Sequence, residues 1–338
     1  MMKQVHDRLV RRVGAFAAAM LAAVAVSSQA AHAAGDDAAD YPSKPITLLV
    51  GFTAGGPSDT AARILANRLS GKWHDARIIV ENRPGANGAI AAAQMVQSPA
   101  DGYTLFLVTH SHVNLKWLYS KLAFDPAKDF QPVAELLTMP HALAVGPSVK
   151  ERDYAALAAD IKAKPDVYTA ASSGNGSDPH LVLAEFMEKT GLKIRHIPYR
   201  GAAPEVVDML SGRVDMTFET LGGVLKEIQQ GKLRALAIGG TQRDPQLPDV
   251  PTFIEAGVKD FSPESWYGVM APAGTPMAIV DKINAAVNEV MNTPEGAKML
   301  ATLGALPVKS SVEDFTRLYH HDIEANGELI KSLNIAID

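Results

Sequence analysis

The sequence predicts an α/β protein of about two domains. Its 338 residues suit two units of roughly 100–200 residues each. From Tyr41 onward short β-rich runs alternate with amphipathic helical segments. Several runs are apolar throughout rather than at every second residue, which is the pattern of parallel strands covered by helices on both faces. Strands are predicted over 46–52, 77–80, 104–109, 142–146, 167–171, 193–199, 214–218 and 233–238. The segment 60–72 places Ala61, Ile64, Leu65 and Leu69 on one helical face against Arg63, Asn67 and Arg68, and 181–189 behaves similarly. The C-terminal segments 276–291 and 312–332 are predicted to be helical, packing back on a sheet rather than forming one.

Composition removes several function classes. Hydrophobic residues at 47% and charged residues at 20% are ordinary for a folded chain. Lys and Arg total 32 against 37 Asp and Glu, and no basic stripe follows the chain, so nucleic acid is not the expected partner. The chain has no cysteine, which excludes disulfide scaffolds, thiolate metal sites and thiol nucleophiles.

Arg8, Arg11 and Arg12 precede an apolar stretch at 13–26, and Ser28-Gln29-Ala30 or Ala31-His32-Ala33 fits a small-residue cleavage site. Fourteen helical residues span about 21 Å, short of the roughly 30 Å of a bilayer core. A signal peptide over 1–33 is therefore expected, cut after Ala33, and the exported chain would carry a formal charge of −8.

One device occurs twice. Gly55-Gly56-Pro57-Ser58-Asp59 follows the first strand and opens a helix, and Gly174-Asn175-Gly176-Ser177-Asp178 does the same 119 residues downstream. The glycines permit close backbone approach, Ser or Asp suits a cap, and proline tolerates the first turn. Such a turn presents free N–H groups and the positive end of a helix dipole to an anion. Either turn alone is also what a well-capped strand-to-helix connection looks like. Neither has the Gly-Lys-Ser/Thr ending of a P-loop or the spacing of a dinucleotide turn, and no G-x-S-x-G elbow occurs. His110 and His112 would share one side of a strand, but neither this pair nor His320-His321 has further metal ligands nearby. His110, at the C-terminal end of a strand, reads as a cleft-wall residue. His180 reads equally as a ligand contact or as a donor to a nearby carbonyl.

Ordered motifs along the mature chain make it resemble the Bug family, the TctC-type receptors of tripartite tricarboxylate transporters. They are Tyr41-Pro-Ser-Lys-Pro-Ile46, Gly55–Asp59, Val80-Glu-Asn-Arg-Pro-Gly85, Asp101-Gly-Tyr-Thr104, Ser172-Ser-Gly-Asn-Gly176 with His180, Pro198-Tyr-Arg-Gly201, Leu247-Pro-Asp-Val-Pro-Thr252, Ser265-Trp266 and Ala271-Pro-Ala-Gly-Thr-Pro276. The resemblance implies a type II periplasmic binding-protein fold, two α/β lobes joined by two crossover strands with a ligand cleft between them. Lobe 1 would take 41–140 and 265–338, and lobe 2 would take 141–264. The first jaw would be Phe52, Thr53, Ala54, Gly55, Gly56, Ser58 and Asp59. The second would be Ser173, Asn175, Gly176 and Ser177 with His180. Thr109 and His110 would line the floor with Tyr199 and Arg200 nearby, and Glu219, Thr220 and Trp266 would face the far end of the ligand. Three features depart from the family pattern: Arg200 replaces a common Lys, Glu219-Thr220 replaces Asp-Asn, and Thr109-His110-Ser111-His112 is unusual for its loop. Arg200 reads equally as a surface charge, and Trp266 as core packing.

The function implied is capture of a small organic carboxylate in the periplasm, aliphatic or aromatic, for delivery to integral-membrane transporter subunits, with no cofactor, no metal and no catalysis. A monomer is the expected state. Two rival classes are an α/β hydrolase or transferase acting on a carboxylate in the same cleft, and a sensing subunit that docks on a membrane receptor kinase.

Overall fold

The computed structural model describes residues 40–73, 76–332 and 335, so the leader expected over 1–33 lies outside the described residues. The runs at the predicted positions form three strands of a first sheet and all five of a second. In the first, Ile46–Val50 (β1) pairs in parallel with Ile78–Asn82 (β2) and Thr104–Thr109 (β3). Phe130–Pro140 (β4) follows, and the chain passes through the single residue His141 into Ala142–Val145 (β5) of the second sheet. There Thr169–Ser172 (β6), Arg195–Pro198 (β7) and Met216–Thr217 (β8) run in parallel, with β5 antiparallel between β8 and Arg234–Ile238 (β9). Glu264–Pro272 (β10) returns to the first sheet, antiparallel between β3 and β4, and Leu306–Pro307 (β11) closes its edge.

Parallel strands require crossovers, which here are helices. They are Pro57–Lys72 (α1), Ala89–Val96 (α2), Leu115–Leu118 (α3), Tyr154–Ala163 (α4), Asp178–Thr190 (α5), Ala202–Leu210 (α6), Leu221–Gln229 (α7), Met277–Met291 (α8), Pro294–Ala301 (α9) and Val312–Ser332 (α10). Continuous apolar strands then fill both faces of each sheet. Ile46, Leu48 and Val50 enter one core while Leu49 enters the core on the opposite face. Leu143 and Val145 are divided from Ala142 and Ala144 in the same way. The result is two α/β lobes with the chain crossing between them twice. The crossings lie side by side: the His141 N–H donates to Pro263 O at 3.0 Å and the Gly239 N–H to His141 O at 2.7 Å.

The sheets are mixed rather than purely parallel, and β4, β10 and β11 are absent from the sequence prediction. Pro132 and Pro140 make β4 read as irregular. It is nonetheless a strand, because the register slips between Val269 and Met270, opposite Pro132, a bulge that accommodates a residue without an N–H. Gly268 on β10 has a packing reason: a Cβ there would stand 2.3 Å from the Phe315 ring and 2.9 Å from Ala134 O. Gly268→Ala is expected to lower stability by about 1–3 kcal/mol through overpacking under α10, measured by urea denaturation.

Candidate functional site

Strand ends and helix starts from both lobes meet around a cleft whose non-atom space, open solvent at its mouth included, is about 430 Å³. The first lobe contributes Phe52, Thr53, Gly56, Pro57 and Ser58 after β1, Thr109 and Ser111 after β3, and Ser265 and Tyr267 of β10. The second contributes Ser173 after β6, Asp178 and Pro179 of α5, Gly201 and Ala202 at α6, and Glu219 and Thr220 after β8. The place, beyond the carboxyl ends of parallel strands, is where α/β sheets bind ligands.

The helices that reach this space share one feature. The residues preceding α1, α5, α6 and α7 are Gly56, Ser177, Gly201 and Thr220, and none makes a side-chain capping bond. Away from the pocket, Asp153 caps α4 and Thr293 caps α9, while Gly88, Asn114 and Pro276 before α2, α3 and α8 make no side-chain cap. A helix leaves its first N–H groups unpaired and carries a partial positive charge there. Two of the four ends are already served from within: the Asp178 N–H donates to Ser111 Oγ at 3.0 Å, and the Thr220 N–H to Glu219 Oε1 at 2.8 Å. For α1 and α6 no protein acceptor takes the first-turn N–H groups of Ser58, Ala202 or Ala203 among the described residues. No Lys or Arg lines the space, so among the lining groups these backbone ends carry its positive potential.

The acids in the wall are handled differently from one another. Asp178 accepts from His110 Nδ1 at 2.9 Å and His141 Nε2 at 3.1 Å. His110 also approaches Asp322 of α10, with Nε2 3.5 Å from Oδ2. Burial alone would keep His110 neutral, but the charge of Asp178 and hydrogen bonds to Asp178 and Asp322 push it up to about 10. His141 is raised against burial by the same carboxylate. The two rings in turn hold the Asp178 carboxyl far below its ordinary range despite burial. This chain of charges spans both lobes beside the pocket. Glu219, in contrast, has no cationic partner within ion-pair distance.

Of the residues predicted from sequence, Phe52, Thr53, Gly56, Ser58, Thr109, Ser173, Glu219 and Thr220 line the pocket, and the others lie elsewhere. Ala54 and Gly55 are exposed at the tip of the first turn. Asp59 shapes that turn: its Oδ2 accepts from the Gly55 N–H and Arg63 Nε, and its Oδ1 from Asn82 Nδ2. Gly176 and Ser177 are buried in the second turn, where Asn114 Nδ2 donates to Gly176 O at 3.2 Å. Asn175 is exposed and its carbonyl accepts from Asn87 of the facing lobe. His180 accepts the Gly176 N–H and stacks on His196 at 3.9 Å, and burial lowers the two rings to about 4 and about 3, so both are neutral. Arg200 is exposed on an outer vestibule that shares Phe52, Thr53 and Ser173 with the pocket.

Two expectations need correction. Trp266 does not face the pocket: it is 5% exposed, donates Nε1 to Asp322 Oδ2 at 2.7 Å and meets Phe315 edge-on. Strand alternation sends Ser265 and Tyr267 to the pocket and Trp266 to the opposite face. His110 and His112 do not share a strand face, because His110–Asn114 is a 3-10 helix. His112 instead packs among Phe106, Phe124, Phe130 and Tyr319 and is lowered to about 3 by burial. No group of three or more acids and histidines able to hold a metal occurs among the described residues.

Sequence reasoning missed Gly201 and Ala202. Gly201 adopts φ +118° and stands so close to the facing lobe that a Cβ would lie 3.0 Å from Thr53 Oγ1. The signal was available, since a glycine before an amphipathic helix is the same device as the two predicted turns. Ser111, Asp178, Ser265 and Tyr267 were missed because membership depends on which way each side chain turns.

The model of the tripartite tricarboxylate transporter family receptors matches residues 61–335. Protein BugT of Bordetella pertussis is 36% identical over 293 residues, covering 86% of this chain and 89% of that protein. Among solved structures, R. palustris Rpa4515 with adipate superposes with a TM-score of 0.85 at 34% identity, covering 88% of this chain and all of the other. The periplasmic binding protein BugD gives 0.83 at 29% identity with the same coverage. No helix among the described residues is long and apolar enough to cross a membrane. With this match over most of its length, the chain belongs to the tripartite tricarboxylate transporter receptor family, whose members are solute-binding receptors rather than enzymes.

Proposed function

We propose that this protein is a periplasmic receptor that closes its two lobes on a small organic carboxylate and presents it to integral-membrane transporter subunits. The observation that carries the reading is the convergence of uncapped helix N-termini from both lobes on a pocket without Lys or Arg. A carboxylate there accepts backbone N–H groups of α1 on one side and α6 on the other. Full satisfaction of the ligand then requires the closed state, and this differential affinity drives closure. A structural relative with adipate supports the ligand class. Asn87 to Asn175 O and Thr53 Oγ1 to Arg200 O, the latter at 3.5 Å, already bridge the lobes at the rim.

A thermal-shift screen of refolded, ligand-stripped protein lacking 1–33 tests this. A tight ligand at a hundredfold excess over its Kd stabilises by about 2.7 kcal/mol. A clear rise in Tm with one class of carboxylate is the expected result. Folded protein that responds to no acid overturns the reading. Co-purification of the tagged protein with membrane subunits from its own cells tests the partner.

A further inference from the structure

The polar groups of the pocket are not evenly distributed. Glu219 is 3% exposed in the wall and is hydrogen-bonded by Ser173, by Thr220 and, from behind, by the Glu205 carboxyl. Its Oε2 accepts the Ser173 hydroxyl, and its Oε1 accepts the Thr220 N–H at 2.8 Å and the Thr220 hydroxyl at 3.1 Å. Ser173 and Thr220 also line the pocket. Having given their protons to Glu219, these hydroxyls offer a ligand only lone pairs. This wall is therefore an acceptor surface built around one carboxylate, with no lysine or arginine on it; behind the wall the Glu219 and Asp178 carboxylates both raise the buried His141. Glu205 behind it, wholly buried, is pushed well above the ordinary carboxylate range by burial and by the Glu219 charge, so it adds no second charge. The position of Asp178 differs, since its two histidines balance it. Elsewhere on the wall the polarity is opposite: Ser111 Oγ accepts the Asp178 N–H and keeps its own proton to donate, and the first turn of α1 offers N–H groups.

We infer that the ligand carries a hydrogen-bond donor, above all an ammonium group, at the pole opposite its carboxylate, and that Glu219 selects it against simple dicarboxylates. This rests on the receptor reading above. A second carboxylate placed against Glu219 meets a like charge and a wall of lone pairs. An ammonium group finds three acceptors and the charge that balances it. A hydroxyl satisfies the geometry but not the charge, and so ranks between them.

Isothermal titration with length-matched probes tests the inference: glutarate, 5-aminopentanoate, 5-hydroxypentanoate and glutamate, on the wild type and on Glu219→Gln. The wild type is expected to bind 5-aminopentanoate at least about tenfold more tightly than glutarate, with glutamate, which keeps a carboxylate at each pole, weaker than 5-aminopentanoate. Glu219→Gln should narrow that ratio about tenfold or reverse it, with circular dichroism confirming the fold. Ser173→Ala, which removes a donor to Glu219 without touching its charge, should keep the order of preference and serves if the glutamine variant does not fold. Tighter binding of glutarate by the wild type, with the other carboxylates weaker, overturns the inference and leaves the receptor reading intact. Absence of binding by every carboxylate overturns both. An unchanged ratio in a folded Glu219→Gln overturns the role of Glu219.

Discussion

Asp178→Ala is expected to destabilise the protein by about 3–5 kcal/mol, because it leaves two buried imidazoles without the carboxylate that holds them charged. Asp178 is 5% exposed, the His141 side chain is fully buried, and His110 lies between Asp178 and Asp322. Denaturant unfolding at pH 6 measures the loss. The same cluster predicts a pH profile. The His110 pKa is raised in the folded state to about 10, from about 6.5 in the unfolded chain. Its contribution is therefore complete below about pH 6.5 and is lost as pH rises toward 10. The Asp178 pKa is depressed, so its contribution is present above about pH 3.9 and is lost as pH falls below that. Stability from this cluster should be greatest between about pH 4 and 6.5. His110→Gln should flatten the decline between pH 6.5 and 10 relative to the wild type. A wild type equally stable at pH 6 and pH 9.5, or an Asp178→Ala that loses under about 1 kcal/mol, would show that the cluster does not hold the lobes.

Gly201→Asp is expected to weaken ligand binding at least about a hundredfold, close to 2.7 kcal/mol. Three effects act together. The residue sits at φ +118°, where a side chain is strained, and a Cβ would press to 3.0 Å of Thr53 Oγ1 across the cleft. The new carboxylate would also occupy the helix N-terminus assigned to the ligand. Gly201→Ala carries the first two effects without the charge and should weaken binding less. Calorimetry on both variants separates sterics from charge, and equal losses would remove the helix N-terminus from the binding account. Gly55→Asp is a useful contrast, since Gly55 shares a positive φ of +84° but is exposed outside the pocket, and a Cβ there meets nothing within 4 Å.

Strands β1–β3 of the first sheet and all five strands of the second were legible because continuous apolar runs such as Ile46–Val50 are local signals. The glycine turns before α1 and α5 were legible for the same reason, since a backbone bend and an open helix start are written in adjacent residues. The antiparallel strand β10 was not, because its partner β4 is interrupted by prolines and pairing across a bulge is settled only between distant segments. Trp266 shows how much turns on this: the residue was read in its motif, but its direction depends on the register of a strand the sequence did not reveal.

Local composition by itself determined the α/β class, the helix starts that favour an anion, the absence of thiol chemistry and, through ordered motifs, the family. Tertiary structure alone decided that Gly201 faces Thr53, that His110, Asp178 and His141 form one charge cluster, that His180 stacks away on His196, and that Glu219 lines the ligand space with no Lys or Arg beside it. The physical reason is range. Backbone preference and hydrophobic period act over a few residues, whereas pocket membership depends on two lobes that meet only after the chain has crossed between them twice, and on which face of a strand each side chain leaves.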